Sequence, residues 1–76
     1  MNIQDFISKF ADQFDETDAA EFKPDTEFKA LDEWSSLTSL SIISMVDDEY
    51  NVSINGDDIR EAETIEDLYN IIRNRK

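Results

Sequence analysis

The sequence predicts an all-α protein. Apolar residues recur at helical spacing near both ends, thirteen consecutive residues in the middle carry no charge, and the alternating stretch from Tyr50 to Ile54 has no second strand to pair with. With 76 residues and 8.8 kDa, the chain can bury about 60% of its unfolded surface, which is enough for one thin core. We therefore expect residues 1–76 to form a single domain.

A first amphipathic helix is predicted near the amino terminus. The spacing i, i+3, i+4, i+7, i+11 describes one helical stripe, and it fits the apolar residues Ile3, Phe6, Ile7, Phe10 and Phe14. Twenty polar-rich residues follow, from Asp15 to Trp34, with the only proline at Pro24. Because this connection is longer than most loops, we expect Phe22, Phe28 and Leu31 to anchor it to the core.

The uncharged central segment, residues 34–46, predicts a second helix. On a helical projection its core-facing stripe consists of Ile42, Ile43, Val46 and Tyr50. The opposite side gathers Leu37, Ser41, Ser44 and Asp48, with Leu40 and Asp47 on one shoulder and Met45 on the other. Two interpretations of this side remain open: a docking surface with an apolar centre and an acidic rim, or leucines that complete the core beneath the long loop.

Two serines stand where the second helix begins. A serine at this place usually caps the helix by accepting a hydrogen bond from a free backbone N–H. If Ser35 is the cap, Ser36 occupies the first helical position and its hydroxyl faces solvent. An anionic phosphodiester attached there would be stabilised by the positive end of the helix dipole.

The last third of the chain predicts a short helix and a longer one. Residues 56–62 leave room for one short turn of helix. Thr64 is a predicted N-cap with Asp67 three residues later, in the pattern of a capping box. The final helix then has an apolar stripe and cations at its end, formed by Ile65, Leu68, Tyr69 and Ile72 and by Arg73, Arg75 and Lys76.

Composition excludes several functions. The chain has no His and no Cys, which rules out His-dependent nucleophiles, zinc–thiolate sites and disulfides, and it is too small to frame an enzyme cleft. A net charge of −12 makes nucleic acid and anionic membranes poor partners and favours a protein with a basic patch. No targeting segment or membrane span is predicted, so we expect a cytoplasmic protein. Because the chain lacks His, Cys and the size for a cleft, we expect that it is not an enzyme.

The order of several motifs resembles the acyl carrier protein family. They are Phe28, Ser36-Leu37, Asp47-Asp48-Glu49-Tyr50, Ile54 and Thr64-Ile65-Glu66-Asp67-Leu68, and the resemblance extends to the first helix. It implies a small four-helix bundle with a long first loop and a short third helix, acting as one carrier domain. It also implies 4'-phosphopantetheine on Ser36, whose thiol holds an acyl, polyketide or aminoacyl chain as a thioester. Ser35 stands where the family usually has Asp.

The resemblance further implies partners and roles for other residues. A phosphopantetheinyl transferase would load the arm, and acyl-loading and acyl-transferring enzymes would present basic patches to a monomeric carrier. Docking would use an apolar centre and an acidic rim, namely Leu37 and Leu40 with Asp47, Asp48 and Glu49. The chain would be sequestered between helices by Ile42, Ile43, Val46, Tyr50, Ile59, Leu68 and Ile72, all of which could equally be ordinary core residues.

Two alternatives of other classes remain open. One is a carrier-like acidic interaction module that is never modified. The other is a weak EF-hand-like calcium site, because oxygen donors and a glycine fall at offsets one, three, five, six and seven of a twelve-residue loop, at Asn51, Ser53, Asn55, Gly56 and Asp57. The twelfth position of that loop is Ala62 instead of a bidentate carboxylate, so no metal ligand is predicted with a dedicated role.

Overall fold

A computed structural model describes residues 2–76 of the chain. Within them the fold is all-helical and has no strand, which confirms the predicted class. Two single turns of 3₁₀ helix, Ala19–Glu21 and Phe28–Ala30, lie in the long loop. The four α-helices are α1 Ile3–Ala11, α2 Ser36–Tyr50, α3 Gly56–Glu61 and α4 Ile65–Arg75.

Helix α1 ends earlier than its apolar stripe predicts. Asn2 caps its start by accepting the N–H groups of Gln4 and Asp5, at 2.8 and 3.3 Å. After Ala11 the hydrogen bonds change from i→i+4 to i→i+3, and the N–H of Phe14 reaches the Ala11 carbonyl at 3.0 Å. Phe14 is nevertheless buried, so the stripe predicts its burial correctly although the helix stops before it.

Phe10 lies at the centre of an aromatic cluster that joins α1 to the long loop. Its ring centroid is 5.3 Å from that of Phe28, 5.6 Å from Phe14 and 6.1 Å from Phe22. Phe22 and Phe28 are both buried, and Leu31 is half-buried against the same core. The prediction that apolar anchors pin the long loop is confirmed.

Helices α2 and α4 close the core around Phe6. The Phe6 ring lies 5.9 Å from Tyr50 of α2 and 5.8 Å from Tyr69 of α4. The predicted stripes of both helices face this core, and their fully buried members are Ile42, Val46, Ile65, Leu68 and Ile72. Thr64 and Asp67 form the predicted capping box at the start of α4.

Polar contacts hold the two ends of the long loop. The Glu33 carboxylate accepts the N–H groups of Asp15 and Glu16, at 2.7 and 3.0 Å, and the Thr17 hydroxyl at 2.7 Å. These bonds, that of Thr17 first, lower the pKa of Glu33. Further along the loop, two backbone carbonyls accept N–H groups from the first turn of α4. The Thr26 carbonyl accepts the Ile65 N–H, and the Pro24 carbonyl accepts the Glu66 N–H. The loop thereby satisfies N–H groups that the helix itself leaves without partners.

A buried carboxylate connects α3 to α4. Asp58 completes the capping box of Asn55, and its two oxygens accept the Arg75 guanidinium at 2.5 and 2.6 Å. Asp58 is buried, while Arg75 stays partly exposed. The bidentate hydrogen bond from Arg75 lowers the pKa of Asp58.

Breaking this pair is expected to reduce the sensitivity of the fold to acid. The folded-state pKa of Asp58 is lowered, so the ionised carboxylate stabilises the fold. Its contribution to the free energy of unfolding is complete above the ordinary pKa of about 4 and is lost as the pH falls through the lowered value. In Arg75→Met the free energy of unfolding should therefore be smaller than in the wild type at neutral pH, and the difference should shrink below about pH 4. Urea unfolding followed by circular dichroism measures both curves, and parallel curves would contradict the assignment.

Candidate functional site

The start of α2 is fixed by a short hydrogen-bond chain. The Ser35 hydroxyl accepts the N–H of Thr38 at 3.3 Å, and the two side-chain oxygens lie 3.2 Å apart. The buried Thr38 hydroxyl donates to the Glu33 carbonyl at 3.1 Å, so the loop and the helix meet at this point. Ser35 is therefore the N-cap, which fulfils the condition under which Ser36 takes the first helical position.

Ser36 is the first residue of α2 and is exposed to solvent. Its hydroxyl makes no hydrogen bond to any residue between 2 and 76. The first turn of this 15-residue helix contains no acidic side chain, and its leading N–H groups have no intrahelical acceptor. The hydroxyl is thus accessible. An anion attached to it would lie at the positive end of the helix dipole, with no carboxylate in the same turn of the helix.

An open groove of about 580 Å³ has Ser36 in its lining. Its lining comes from α2, α3 and the later part of the long loop, and its apolar members are Trp34, Leu40, Ile43 and Ile59. Two basic residues, Lys29 and Arg60, also line it. The complete lining is Lys29, Trp34, Ser35, Ser36, Ser39, Leu40, Ile43, Gly56, Ile59 and Arg60.

The structure divides the predicted chain-sequestering residues into two sets. Ile43 and Ile59 line the groove beside Ser36. The other five lie in the core and do not line it: Ile42, Val46, Leu68 and Ile72 have no exposed surface, and Tyr50 is buried between α1 and α2. A cargo role for all seven residues stays a prediction.

The outer face of α2 exposes two leucines. Leu37 is 76% exposed and Leu40 is 61% exposed, so the alternative that they complete the core beneath the long loop is wrong. A shallow depression of about 490 Å³ lies beside them, lined by Gln13, Leu37, Leu40, Ser41, Ser44, Met45, Asp48 and Glu49. Met45, which the projection puts on the shoulder of this face, is buried and packs into the core.

The three acids of the predicted rim differ in their surroundings. Asp47 and Asp48 are exposed and make no ion pair within residues 2–76. Glu49 lies 3.4 Å from the Lys9 ammonium, which also binds Asp5 at 2.9 Å and so connects α1 to α2. The free acidic rim of this face is therefore formed mainly by Asp47 and Asp48.

The residues of the EF-hand-like pattern have structural partners of their own. Asn51 ends α2 in the left-handed conformation, with φ of 60°, and the Asn55 side chain caps α3. Positions six to eleven of the EF-hand-like pattern form helix α3. A calcium-binding loop instead needs a sharp turn at position six, so this segment does not have the conformation of a coordinating loop. Throughout residues 2–76, no group of three or more acidic side chains is arranged to hold a metal ion.

Sequence reasoning assigns no role to four residues that line the groove, namely Lys29, Trp34, Ser39 and Arg60. The ring of Trp34 packs 5.0 Å from Phe28 and 6.3 Å from Phe14, so it belongs partly to the aromatic cluster and partly to the groove. Its position directly before the paired serines is the one sequence signal. Lys29 and Arg60 come from elements far apart in the chain, which no local pattern relates.

A family model described as "phosphopantetheine attachment site" matches residues 4–72. The chain belongs to this family. Carrier domains of the family hold covalently attached 4'-phosphopantetheine and do no catalysis of their own. They interact with a phosphopantetheinyl transferase and with biosynthetic enzymes. Searches of curated proteins and of solved structures each returned no match. None of the helices within residues 2–76 of this carrier domain is long and apolar enough to cross a membrane.

Replacing the two serines of this carrier domain separately should distinguish the cap from the exposed hydroxyl. Ser35→Ala removes the acceptor of the Thr38 N–H and should lower the free energy of unfolding by about 1 kcal/mol. Ser36→Ala removes a hydroxyl without partners and should change it by less than about 0.5 kcal/mol. Urea unfolding of the unmodified proteins tests this, and a larger loss in Ser36→Ala would contradict the assigned roles.

Proposed function

We propose that this carrier domain is an acyl carrier protein in which Ser36 bears the arm. The observation that carries the proposal is the exposed Ser36 hydroxyl, which has no hydrogen-bond partner within residues 2–76 and opens a 15-residue helix. Ser35 supplies the cap, so Ser36 can be modified without loss of a structural bond. The phosphopantetheine-carrier role belongs to the family, and the attachment position and the acyl cargo are our proposals.

The surroundings of Ser36 suit a phosphodiester. The leading N–H groups of α2 and its dipole favour an anion at this end of the helix, and its first turn contains no carboxylate. When attached, the arm supplies the thiol that holds the cargo as a thioester, which this Cys-free chain lacks. In the transfer, a bond forms between Ser36 Oγ and the phosphorus of coenzyme A's pantetheine phosphate, and the serine proton passes to a base of the transferase. The pyrophosphate P–O bond breaks, and adenosine 3',5'-bisphosphate leaves with the bridging oxygen.

Docking is proposed to use the outer face of α2. Leu37 and Leu40 provide an exposed apolar centre, and Asp47 and Asp48 provide negative charge without internal partners. Such a face complements an enzyme surface with an apolar pocket and an Arg or Lys rim. The charges mainly accelerate association, whereas the leucines set the lifetime of a small, transient complex.

Modification at Ser36 can be tested by intact-mass spectrometry. Wild type and Ser35→Ala, incubated with coenzyme A and a broad-specificity phosphopantetheinyl transferase, should each gain one phosphopantetheine. Ser36→Ala should gain none, because it lacks the accepting hydroxyl.

A second carrier protein in the same tube is the control for an active transferase. No added mass on folded wild type, with the control carrier modified, would contradict the proposal. That result would favour the alternative of an acidic interaction module that is never modified.

The two parts of the docking face should have different effects on transfer kinetics. Leu37→Ala should lower kcat/KM of the transferase by about 5- to 30-fold at any salt concentration, since it removes the centre of the contact. Asp48→Asn should lower it by a few-fold at low salt and scarcely at high salt, because salt screens rim charges.

The matched control for the charge change is Asp25→Asn, which removes an exposed carboxylate from the long loop, outside both the groove and the depression on α2. Equal effects of Asp48→Asn and Asp25→Asn would show that net charge, and not this face, governs the encounter.

A further inference from the structure

The Lys9 ammonium is shared between α1 and the end of α2. It lies 2.9 Å from Asp5, one turn earlier on α1, and 3.4 Å from Glu49. It also stands over the Tyr50 ring, 5.1 Å from the ring centroid, and the Tyr50 hydroxyl donates to Asp5 at 3.3 Å. One cation thus serves two carboxylates and an aromatic ring.

One of those carboxylates belongs to the proposed docking face. Glu49 lines the acidic depression, and so does Gln13, whose side-chain amide donates to the Lys9 carbonyl at 3.2 Å. Lys9 therefore reaches Glu49 at the α1 border of this face. No residue from 36 to 46 is charged, so α2 offers only the carboxylates of residues 47–49 to a basic partner. Lys9 occupies one of the three.

The two contacts of Lys9 differ in strength. The shorter one, to Asp5, is the first cause of the raised pKa of Lys9, so the ammonium is charged at neutral pH, and Glu49 contributes less. The Glu49 side chain is 47% exposed, and an ion pair so exposed contributes little stability. Lys9 can therefore lose Glu49 to another cation while it keeps Asp5 and the Tyr50 ring.

We propose that Lys9 is an intramolecular competitor for Glu49, so that a partner's Arg or Lys gains this carboxylate only by displacing it. The inference rests on the proposed docking by the outer face of α2. The partner it fits has basic residues opposite Asp47 and Asp48 and a further Arg whose planar fork binds Glu49 at two points. A residue of α1 thereby lowers the attraction of the α2 face for less complementary basic surfaces.

The competition can be measured with a broad-specificity phosphopantetheinyl transferase as the probe. The transferase is immobilised, coenzyme A is present, and association is followed by biolayer interferometry. Every carrier also has Ser36→Ala, so binding is observed without turnover. Lys9→Met keeps an aliphatic stem and should raise the association rate constant by about 1.4- to 5-fold at low salt, because Glu49 is released. The gain should disappear near 1 M salt, where charges are screened within about 3 Å.

Three variants serve as controls. Lys23→Met makes the same change in net charge at an exposed lysine that does not line the depression, and it should give a smaller gain. Lys9→Arg keeps the charge and should behave as the wild type. Asp5→Asn should slow association more than Asp25→Asn does, because Lys9 then has Glu49 as its one carboxylate.

The Glu49→Gln background identifies the carboxylate through which Lys9 acts. In this background Lys9→Met should raise the rate constant no more than Lys23→Met does. A gain that persists in full would overturn the inference, since Lys9 would then act without Glu49. Equal rate constants for Lys9→Met and Lys23→Met would also overturn it, because net charge alone would explain the change.

Intact mass of the same variants with Ser36 restored reports attachment separately, so failure at Ser36 is distinguished from failure of the competition. Binding that is unaffected by both Asp48→Asn and Glu49→Gln would overturn the docking face and the competition together, whatever the mass shows. Urea unfolding verifies that each variant is folded. If Lys9→Met is not, Asp5→Asn beside Asp25→Asn tests the inference independently, and equal rates for these two would contradict it.

Discussion

The packing of Phe10 is the contact on which the rest of this structure depends. Its fully buried ring meets Phe14, Phe22 and Phe28, and so attaches the long loop to α1. A chain of this length buries a limited share of its surface, and large aromatic side chains supply much of the apolar area that a thin core can gather. Without these rings the loop would have few apolar contacts with the helices.

The aromatic cluster also determines where α2 begins. Trp34 packs on Phe28, Glu33 binds the N–H groups that follow α1, and Ser35 caps the helix. Ser36, the next residue, forms no side-chain bond within residues 2–76. Its position is therefore set by anchored neighbours, while its hydroxyl stays free, which is the arrangement that a modification site on a rigid scaffold requires.

The sequence predicted those features that depend on local periodicity and capping. The stripes of α2 and α4 and the cap at Thr64 follow from spacing along a single helix, and the structure confirms them, with Ile43 of the α2 stripe only partly buried. Spacing left two serines as possible caps of α2, and the structure identifies Ser35. The early end of α1 before Phe14 and the burial of Met45 depend on which neighbours pack against each side, and a helical projection does not contain that information. The groove of Lys29 and Arg60 joins residues thirty-one positions apart, so only the folded chain relates them.

The exposed leucines on α2 have a consequence for colloidal behaviour. Leu37 and Leu40 form the sort of apolar surface through which copies of a protein adhere to one another. Here each copy has a net charge of −12, and two such faces would bring Asp47 and Asp48 of both molecules together. At physiological ionic strength this repulsion extends only about 8 Å. It therefore opposes self-association at close approach, while salt screens the interaction between more distant copies. The charges that we propose to attract a basic enzyme should thus also oppose aggregation of this protein in concentrated solution.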